Sequence, residues 1–150
     1  MNKITLATIA ILGAFGATNI AYAATTVICD STSNSAAKNG TAPESGGASN
    51  FMVTAIQPKC SANVNLEGRD GANGSFYAVG ANSAKGKSNF AGHTNGGAVA
   101  PLSQADGGVC TVPGGCTLAE ATAAAGKATD AAAAAGGTGG SGSEESAPSE

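Results

Sequence analysis

Apolar and polar residues alternate most clearly between residues 62 and 67. The apolar positions are Ala62, Val64 and Leu66, and the polar positions are Asn63, Asn65 and Glu67. This period of two predicts a strand with one face toward solvent. Asp-Gly and Asn-Gly pairs follow within residues 69–74, and both accept the positive φ of tight turns. Residues 75–79 then return as a second strand, so we predict an antiparallel hairpin over residues 62–79.

Four further segments carry strand-forming residues. The densest run of β-branched and aromatic side chains spans residues 51–56, and we predict a strand there that ends before Pro58. Shorter strands are predicted at residues 24–30, 98–100 and 108–112. Small and polar side chains fill residues 31–50, so a long loop is predicted there. Residues 80–97 are also polar and small, with Phe90 the only large apolar residue, and no strand is predicted there. Five or six short strands are enough for a small antiparallel sheet or sandwich.

The pattern changes after Cys116. Thr117 and Glu120 have the spacing of a capping box, in which each side chain bonds the backbone amide of the other residue. Alanine then dominates and is the strongest helix former, so residues 117–135 are predicted to form a helix. Leu118 is the only bulky apolar side chain in that stretch. Because no apolar stripe is present, we expect the helix to be frayed and either exposed to solvent or lightly packed.

Residues 136–150 consist mainly of glycine, serine and glutamate. A segment of this composition cannot bury enough apolar surface to fold, so it is predicted to be a disordered, flexible tail. Three glutamates and no lysine or arginine give it a local charge of −3; they are Glu144, Glu145 and Glu150. We expect this tail to act as a spacer or a solvating segment.

The first 23 residues have the organisation of a secretory signal peptide. Lys3 gives a positive start, residues 4–15 are mainly apolar, and Ala21 and Ala23 supply the small side chains that precede a cleavage site. Polar residues interrupt the apolar run before the roughly 20 residues that a membrane-spanning helix needs. We predict that residues 1–23 are removed and that no stable membrane span remains. The predicted location is the periplasm, the cell surface or the external medium.

The chain after residue 23 is poor in material for an apolar core. Only fifteen of its 127 residues are Val, Ile, Leu or Phe. Buried apolar surface stabilises by about 25 cal/mol per Å², so this small set offsets little of the chain entropy lost on folding. We therefore expect covalent cross-links to contribute to the stability of the fold.

All four cysteines follow residue 23. An exported chain meets an oxidising compartment, where an even number of cysteines indicates disulfides. Of the three possible pairings we favour Cys29–Cys60 and Cys110–Cys116, because the second pair closes a turn-rich segment. The first pair closes a loop of about 30 residues and should stabilise the fold by about 3–4 kcal/mol. A zinc site that includes His93 is the alternative, but the Cys-x2-Cys spacing of zinc ligands is missing.

Together these patterns predict a mainly β protein. A small antiparallel sheet or sandwich over residues 24–116 is held by two disulfides, and an alanine-rich C-terminal helix and the disordered tail follow it. The length that remains after cleavage allows one domain at most.

The sequence carries little catalytic chemistry. His93 is the only histidine, and no motif places a nucleophile and an orienting carboxylate beside it. No catalytic residue, metal site or cofactor is predicted. The net charge is −3, and Lys85 and Lys87 are the only close basic pair, so nucleic-acid binding is not expected. We predict a protein that is not an enzyme, with a small secreted hydrolase using His93 as the least favoured alternative.

The predicted function is that of an exported structural, surface or interaction protein. Strands rich in Thr, Asn, Gly and Ala leave partly open sheet edges, and such edges pair with other chains. The predicted partners are further copies of the chain, in an oligomer or fibre, or other surface proteins. The alternative is a secreted module that binds a glycan or another small ligand. Its lining residues would be Phe76, Tyr77, Phe90 and His93, although these rings are also candidates for the core.

Overall fold

The computed structural model describes residues 24–137. The predicted signal peptide and residues 138–150 of the predicted tail lie outside the described residues. The elements are β1 (Thr25–Cys29), β2 (Lys38–Asn39), β3 (Lys59–Cys60), β4 (Val64–Asp70), β5 (Tyr77–Ser83), β6 (Phe90–His93), β7 (Gly97–Pro101) and α1 (Leu118–Gly137). Five strands form one antiparallel sheet in the order β1-β4-β5-β6-β7, and β2 pairs with β3. The mainly β fold with a C-terminal helix is confirmed.

The predicted hairpin is formed by β4 and β5, which pair from Val64 opposite Ser83 to Asp70 opposite Tyr77. The turn between them contains Asn73 at φ 55° and Gly74 at φ 66°, so the Asn-Gly pair supplies the left-handed backbone that the turn requires. The returning strand runs on to Ser83, and β6 follows, so the expectation that residues 80–97 contain no strand is wrong. These strands are built from small side chains, and their lack of bulk hid them in the sequence pattern.

No strand forms over residues 51–56, so that prediction is wrong. The segment bends at residues 51, 53 and 54 and pairs with no strand; the Phe51 N–H donates to Asp70 Oδ1 at 2.8 Å. Val53 is 86% exposed and Ile56 is 51% exposed, which shows that their β propensity is not used in a buried face. Strand propensity reports how well a side chain fits a pleated, half-buried surface, and no such surface is offered here.

Of the predictions for the remaining short strands, two are confirmed and one is wrong. The first and the last of the sheet, β1 and β7, confirm the predictions at residues 24–30 and 98–100. Residues 108–112 form only an isolated bridge, between Ser88 and Val109, so the strand predicted there is wrong. The loop predicted at residues 31–50 is confirmed except for the two residues of β2.

The polar face of β4 lies under the helix, so the prediction that this face meets solvent is wrong. Asn65 and Glu67 are almost completely buried, whereas Leu66 on the opposite face is half-buried. Glu67 accepts hydrogen bonds from Arg69 Nε, at 2.8 Å, and from the Thr122 hydroxyl of α1. The polar groups are tolerated in the interior because each finds a charged or hydrogen-bonding partner there.

A chain of asparagine side chains crosses the sheet near the start of α1. Asn65 Nδ2 donates to Asn82 Oδ1 at 2.9 Å, and Asn82 Nδ2 donates to Asn89 Oδ1 at 2.8 Å. Asn82 Nδ2 also donates to the carbonyl oxygen of Thr117 at 2.8 Å. Since Thr117 and Glu120 form the predicted capping box, this network fixes the position at which the helix begins.

The helix α1 packs firmly against the sheet, so the expectation of a frayed or lightly packed helix is wrong. Five alanines at helical spacing are buried, and they are Ala121, Ala124, Ala125, Ala128 and Ala132. At Gly80 of β5 a Cβ would overlap the backbone of Ala121 and Ala125. Small side chains on both layers let the backbones approach, and this close approach replaces the bulky apolar stripe that the sequence lacks.

Both favoured disulfides are present, with Cα–Cα distances of 5.7 Å for Cys29–Cys60 and 5.1 Å for Cys110–Cys116. Cys29 and Cys60 are buried with Ile28 in a cluster of their own, which Val64 and Leu66 extend. This cluster lies on the side of the sheet away from the main core, where Phe76 packs with alanines of α1. The first disulfide therefore joins the loop 31–59 to the sheet.

Candidate interaction surface

The face of the sheet turned away from α1, here called the outer face, carries two rows of apolar residues. Residues directly opposite each other in antiparallel strands share a face, so the strand register defines the rows. The first row is Gly68, Val79, Gly92 and Val99, and the second is Leu66, Ala81, Phe90 and Pro101. Neither row contains a polar or charged side chain.

Only half of the outer face is covered. Over β4, the ring of Tyr77 lies so close to Gly68 that a Cβ there would overlap it, and the disulfide-linked loop packs against Leu66. Over β6 and β7 the rest of residues 24–137 leaves the surface bare, with Phe90 37% exposed and Val99 62% exposed. Contiguous apolar surface of this kind marks interaction sites on soluble proteins.

The bare half ends at β7, the last strand of the sheet. The Leu102 N–H donates to the Asn89 carbonyl oxygen at 3.0 Å, and Ala100 lies opposite Ala91. Hydrogen-bonded pairs alternate along an antiparallel ladder, so Ala100 turns its backbone groups toward β6. Between Ala91 and His93 the register of β6 and β7 shifts by one residue, so the alternation is interrupted at residues 98–99 of β7. Within residues 24–137, no hydrogen bond reaches this outer side of β7.

The opposite edge of the sheet, at β1, is protected. The Thr41 N–H donates to the Ile28 carbonyl oxygen at 2.9 Å, and the Cys29–Cys60 disulfide holds the neighbouring loop in place. The sheet therefore has one covered edge and one open edge. The open edge carries no lysine or other charge, which is the usual device that blocks pairing with another chain, although Pro101 removes one amide donor.

The four residues predicted to line a ligand site do not meet in one cavity of the described chain. Phe76 is buried against alanines of α1, and His93 lies opposite Ala78 on the same side of the sheet. Tyr77 and Phe90 are on the outer face, where Tyr77 is buried and Phe90 contributes to the bare surface. Only Phe90 therefore belongs to the candidate interaction surface.

Tyr77 has a perturbed hydroxyl. Burial, with a smaller contribution from the nearby Asp70 carboxylate, raises the pKa of Tyr77 to about 12. Its hydroxyl oxygen is buried without a hydrogen-bond partner. The ring also lies 6.3 Å from that of Phe51, centroid to centroid. Because the hydroxyl is enclosed and stays neutral at physiological pH, it is not available as a base or a nucleophile.

The end of β1 and the loop 30–41 enclose a polar groove of about 380 Å³. Asn34 lies at its wall, is 1% exposed, and has no partner for either polar atom of its side chain. Lys38 Nζ donates to the Ser33 carbonyl oxygen at 2.8 Å and so closes the turn beside it. The groove is lined by short polar side chains and contains no aromatic ring on which a sugar could stack.

In the part of the chain that the structure describes, no group of three or more histidine, cysteine or carboxylate side chains is arranged so that it could hold a metal ion. Both cysteine pairs are oxidised, so the alternative zinc site with His93 is wrong for these cysteines. No helix within residues 24–137 is long and apolar enough to cross a membrane.

Comparison with known proteins adds no relative: no family model, curated protein or solved structure matches the chain. The candidate surface therefore rests on geometry alone. Sequence reasoning predicted open sheet edges but did not find which edge is open. One signal was present in the sequence. The run Ala98-Val99-Ala100 carries no charge, whereas an edge strand that is protected against pairing usually carries one.

Proposed function

We propose that the protein is an exported, non-enzymatic surface or structural protein that assembles by pairing the open edge of β7 with the same edge of a second copy. The observation that carries this proposal is that β7, the last strand of the sheet, has no strand paired on its outer side within residues 24–137 and lies beside an exposed apolar face. The disulfides support export, because such cross-links persist in oxidising compartments.

A second copy is the partner that the edge fits. Around a two-fold axis beside β7, backbone N–H groups of one copy face C=O groups of the other, so an antiparallel pairing is self-complementary. The same arrangement continues the sheet from five strands into ten and places the two bare apolar surfaces side by side. Main-chain hydrogen bonds then supply affinity, and the Val99 and Phe90 side chains exclude water.

Val99→Lys tests this pairing. The side chain is already 62% exposed, so the monomer should fold normally. In the dimer it places two like charges next to each other and should weaken association at least tenfold, or by about 1.4 kcal/mol. The measurement is sedimentation equilibrium of residues 24–150 with both disulfides formed, over a range of protein concentration.

Val53→Lys is the matched control, because Val53 is also an exposed valine and lies far from β7 in the chain. We expect the control to associate as strongly as the wild-type chain. Association of Val99→Lys at wild-type strength, or a wild-type chain that stays monomeric at every concentration, would overturn the proposal.

A further inference from the structure

A second surface of the molecule combines an apolar floor with a basic rim. A groove of about 470 Å³ lies between the turn that joins β5 to β6 and the loop that the Cys110–Cys116 disulfide closes. Its side chains are those of Lys85, Lys87, Val109, Thr111, Val112 and Pro113. Val109 and Val112 are each about half exposed, so apolar surface remains uncovered inside the groove.

The two walls of the groove are fixed to each other. The Cys110 N–H donates to the Lys87 carbonyl oxygen at 3.0 Å, and the Cys116 N–H donates to the Ser83 carbonyl oxygen at 3.2 Å. Gly115 lies against the carbonyl group of Ala84, where a Cβ would overlap it. A groove closed by a disulfide and two backbone hydrogen bonds loses little conformational freedom when a ligand binds.

The basic rim has no acidic partner. In residues 24–137, neither Lys85 nor Lys87 forms an ion pair. The two carboxylates that lie closest in sequence to the disulfide-closed loop are both engaged elsewhere. Asp106 Oδ1 lies 3.7 Å from Lys127 Nζ, and Glu120 accepts hydrogen bonds from the backbone and hydroxyl groups of Thr111 and Thr117. The groove therefore offers two unpaired positive charges beside exposed valines, which is the chemistry that receives an acidic peptide with small apolar residues.

We propose that this groove binds residues 144–148 of a second copy of the chain. That segment reads Glu-Glu-Ser-Ala-Pro, so two adjacent carboxylates are followed by two small apolar residues. The carboxylates meet Lys85 and Lys87, and Ala147 and Pro148 cover the exposed valines. The inference does not rest on the pairing of β7, because it uses a different surface.

Chain length favours a partner segment on another molecule. The groove adjoins the start of α1, and the 20 residues of that helix span about 30 Å to Gly137. Glu144 and Pro148 follow seven and eleven residues later and can lie at most about 25 Å and about 40 Å from Gly137. The segment can therefore reach the groove of its own chain only when it is almost fully extended back along α1, and ordering it in that way costs conformational entropy. A second copy needs no such extension, and a groove that takes the tail of another copy gives a head-to-tail contact, which can propagate into an open chain of copies.

A peptide of residues 141–150 is the direct probe. Titrated into isotope-labelled chain 24–150, it should shift the amide resonances of residues 85–87 and 109–115 in a saturable way. Reversing both charges, Lys85→Glu with Lys87→Glu, should weaken binding of the peptide at least tenfold, because two surface ion pairs become repulsive. Lys59→Glu with Lys127→Glu makes the same change in net charge elsewhere and should leave binding unchanged.

Exchanging the charges of the peptide and the groove distinguishes this contact from a non-specific electrostatic attraction. A peptide with Glu144→Lys and Glu145→Lys should bind the doubly reversed chain and not the wild-type chain. Shifts that do not saturate, that persist with glutamine in place of the glutamates, or that map to β7 would overturn the proposal. The same holds if the resonances of Glu144 and Glu145 in the intact chain do not depend on protein concentration.

Discussion

Two glycines decide how closely the layers of the molecule approach. At Gly80 the sheet meets the backbone of α1, and at Gly68 it meets the ring of Tyr77, so a methyl group at either position would overlap its neighbour. Neither contact could be read from the sequence, because a glycine in a strand is equally compatible with a bulge, a bend or a close approach. The residues that replace a bulky core here are thus the smallest ones.

Tyr77 allows the enclosure at Gly68 to be measured directly, because it is the only tyrosine after residue 23 and the chain has no tryptophan. Burial and the Asp70 carboxylate raise its pKa to about 12, whereas the unfolded chain should titrate near the ordinary value of about 10. The raised pKa stabilises the folded state fully below about pH 10, and this stabilisation is lost as the pH rises toward 12.

We therefore expect the ultraviolet absorbance of tyrosinate to appear with a midpoint near 12 in folded chain 24–150, and near 10 for the same chain in denaturant. The denatured sample is the control for the intrinsic pKa. A folded chain that titrates at the same pH as the denatured one would show that Tyr77 is not enclosed.

At the scale of elements, signals between neighbouring residues predicted the hairpin and the start of the helix, but they did not predict which face of β4 is buried. The hairpin of β4 and β5 and the capping box at Thr117 follow from signals within a few residues of each other, and both are confirmed. The face of β4 that meets α1 depends on a helix about 50 residues away in the chain. Alternation fixes which residues share a face, but it does not say which of the two faces is buried.

The strand mistakenly predicted over residues 51–56 illustrates the same limit. Its residues have high β propensity, but no strand of either sheet pairs with them, and Val53 and Ile56 are exposed. A run of β-branched residues becomes a strand only when a neighbouring strand offers backbone groups to pair with.

The docking of α1 can be tested with two matched substitutions on the same helix. Ala125→Leu adds bulk where the helix touches Gly80 and should destabilise the fold by about 1–3 kcal/mol, since overpacking forces the layers apart. Ala123→Leu adds the same bulk on the exposed side and should change the free energy of unfolding by less than about 0.5 kcal/mol. Denaturant unfolding measures both, and equal effects would mean that the helix does not pack as described.

At the scale of the whole molecule, the pairing of cysteines could be predicted because export and spacing limit the choices. Both disulfides are present, and Cys29–Cys60, which closes the longer loop, fixes a segment that has few large apolar side chains of its own. The open edge could not be located in the same way. Which strand ends a sheet depends on the order of all strands, and β6 lies inside a stretch where the sequence predicts no strand.

Within residues 24–137, the molecule has one face closed by α1, one edge closed by a disulfide-linked loop, and one exposed corner at β6 and β7. That corner joins an exposed apolar surface to the last strand of the sheet. Proteins that remain single usually protect such an edge with charge, proline, a bulge or a covering segment. Here Pro101 and the register shift at residues 98–99 protect part of β7, but no charged side chain does. The uncharged edge beside the exposed apolar surface is the basis for the proposed role in assembly.

Amide hydrogen exchange at Val99, followed at low and at high protein concentration, tests this assignment most directly. The Val99 N–H belongs to the irregular part of the last strand and should exchange quickly in the monomer, then slow as copies pair edge to edge. The Ala100 N–H, which faces Ala91 within the sheet, should exchange slowly at both concentrations. We expect protection of Val99 that rises with concentration; a Val99 exchange rate that is the same at both would contradict assembly through β7.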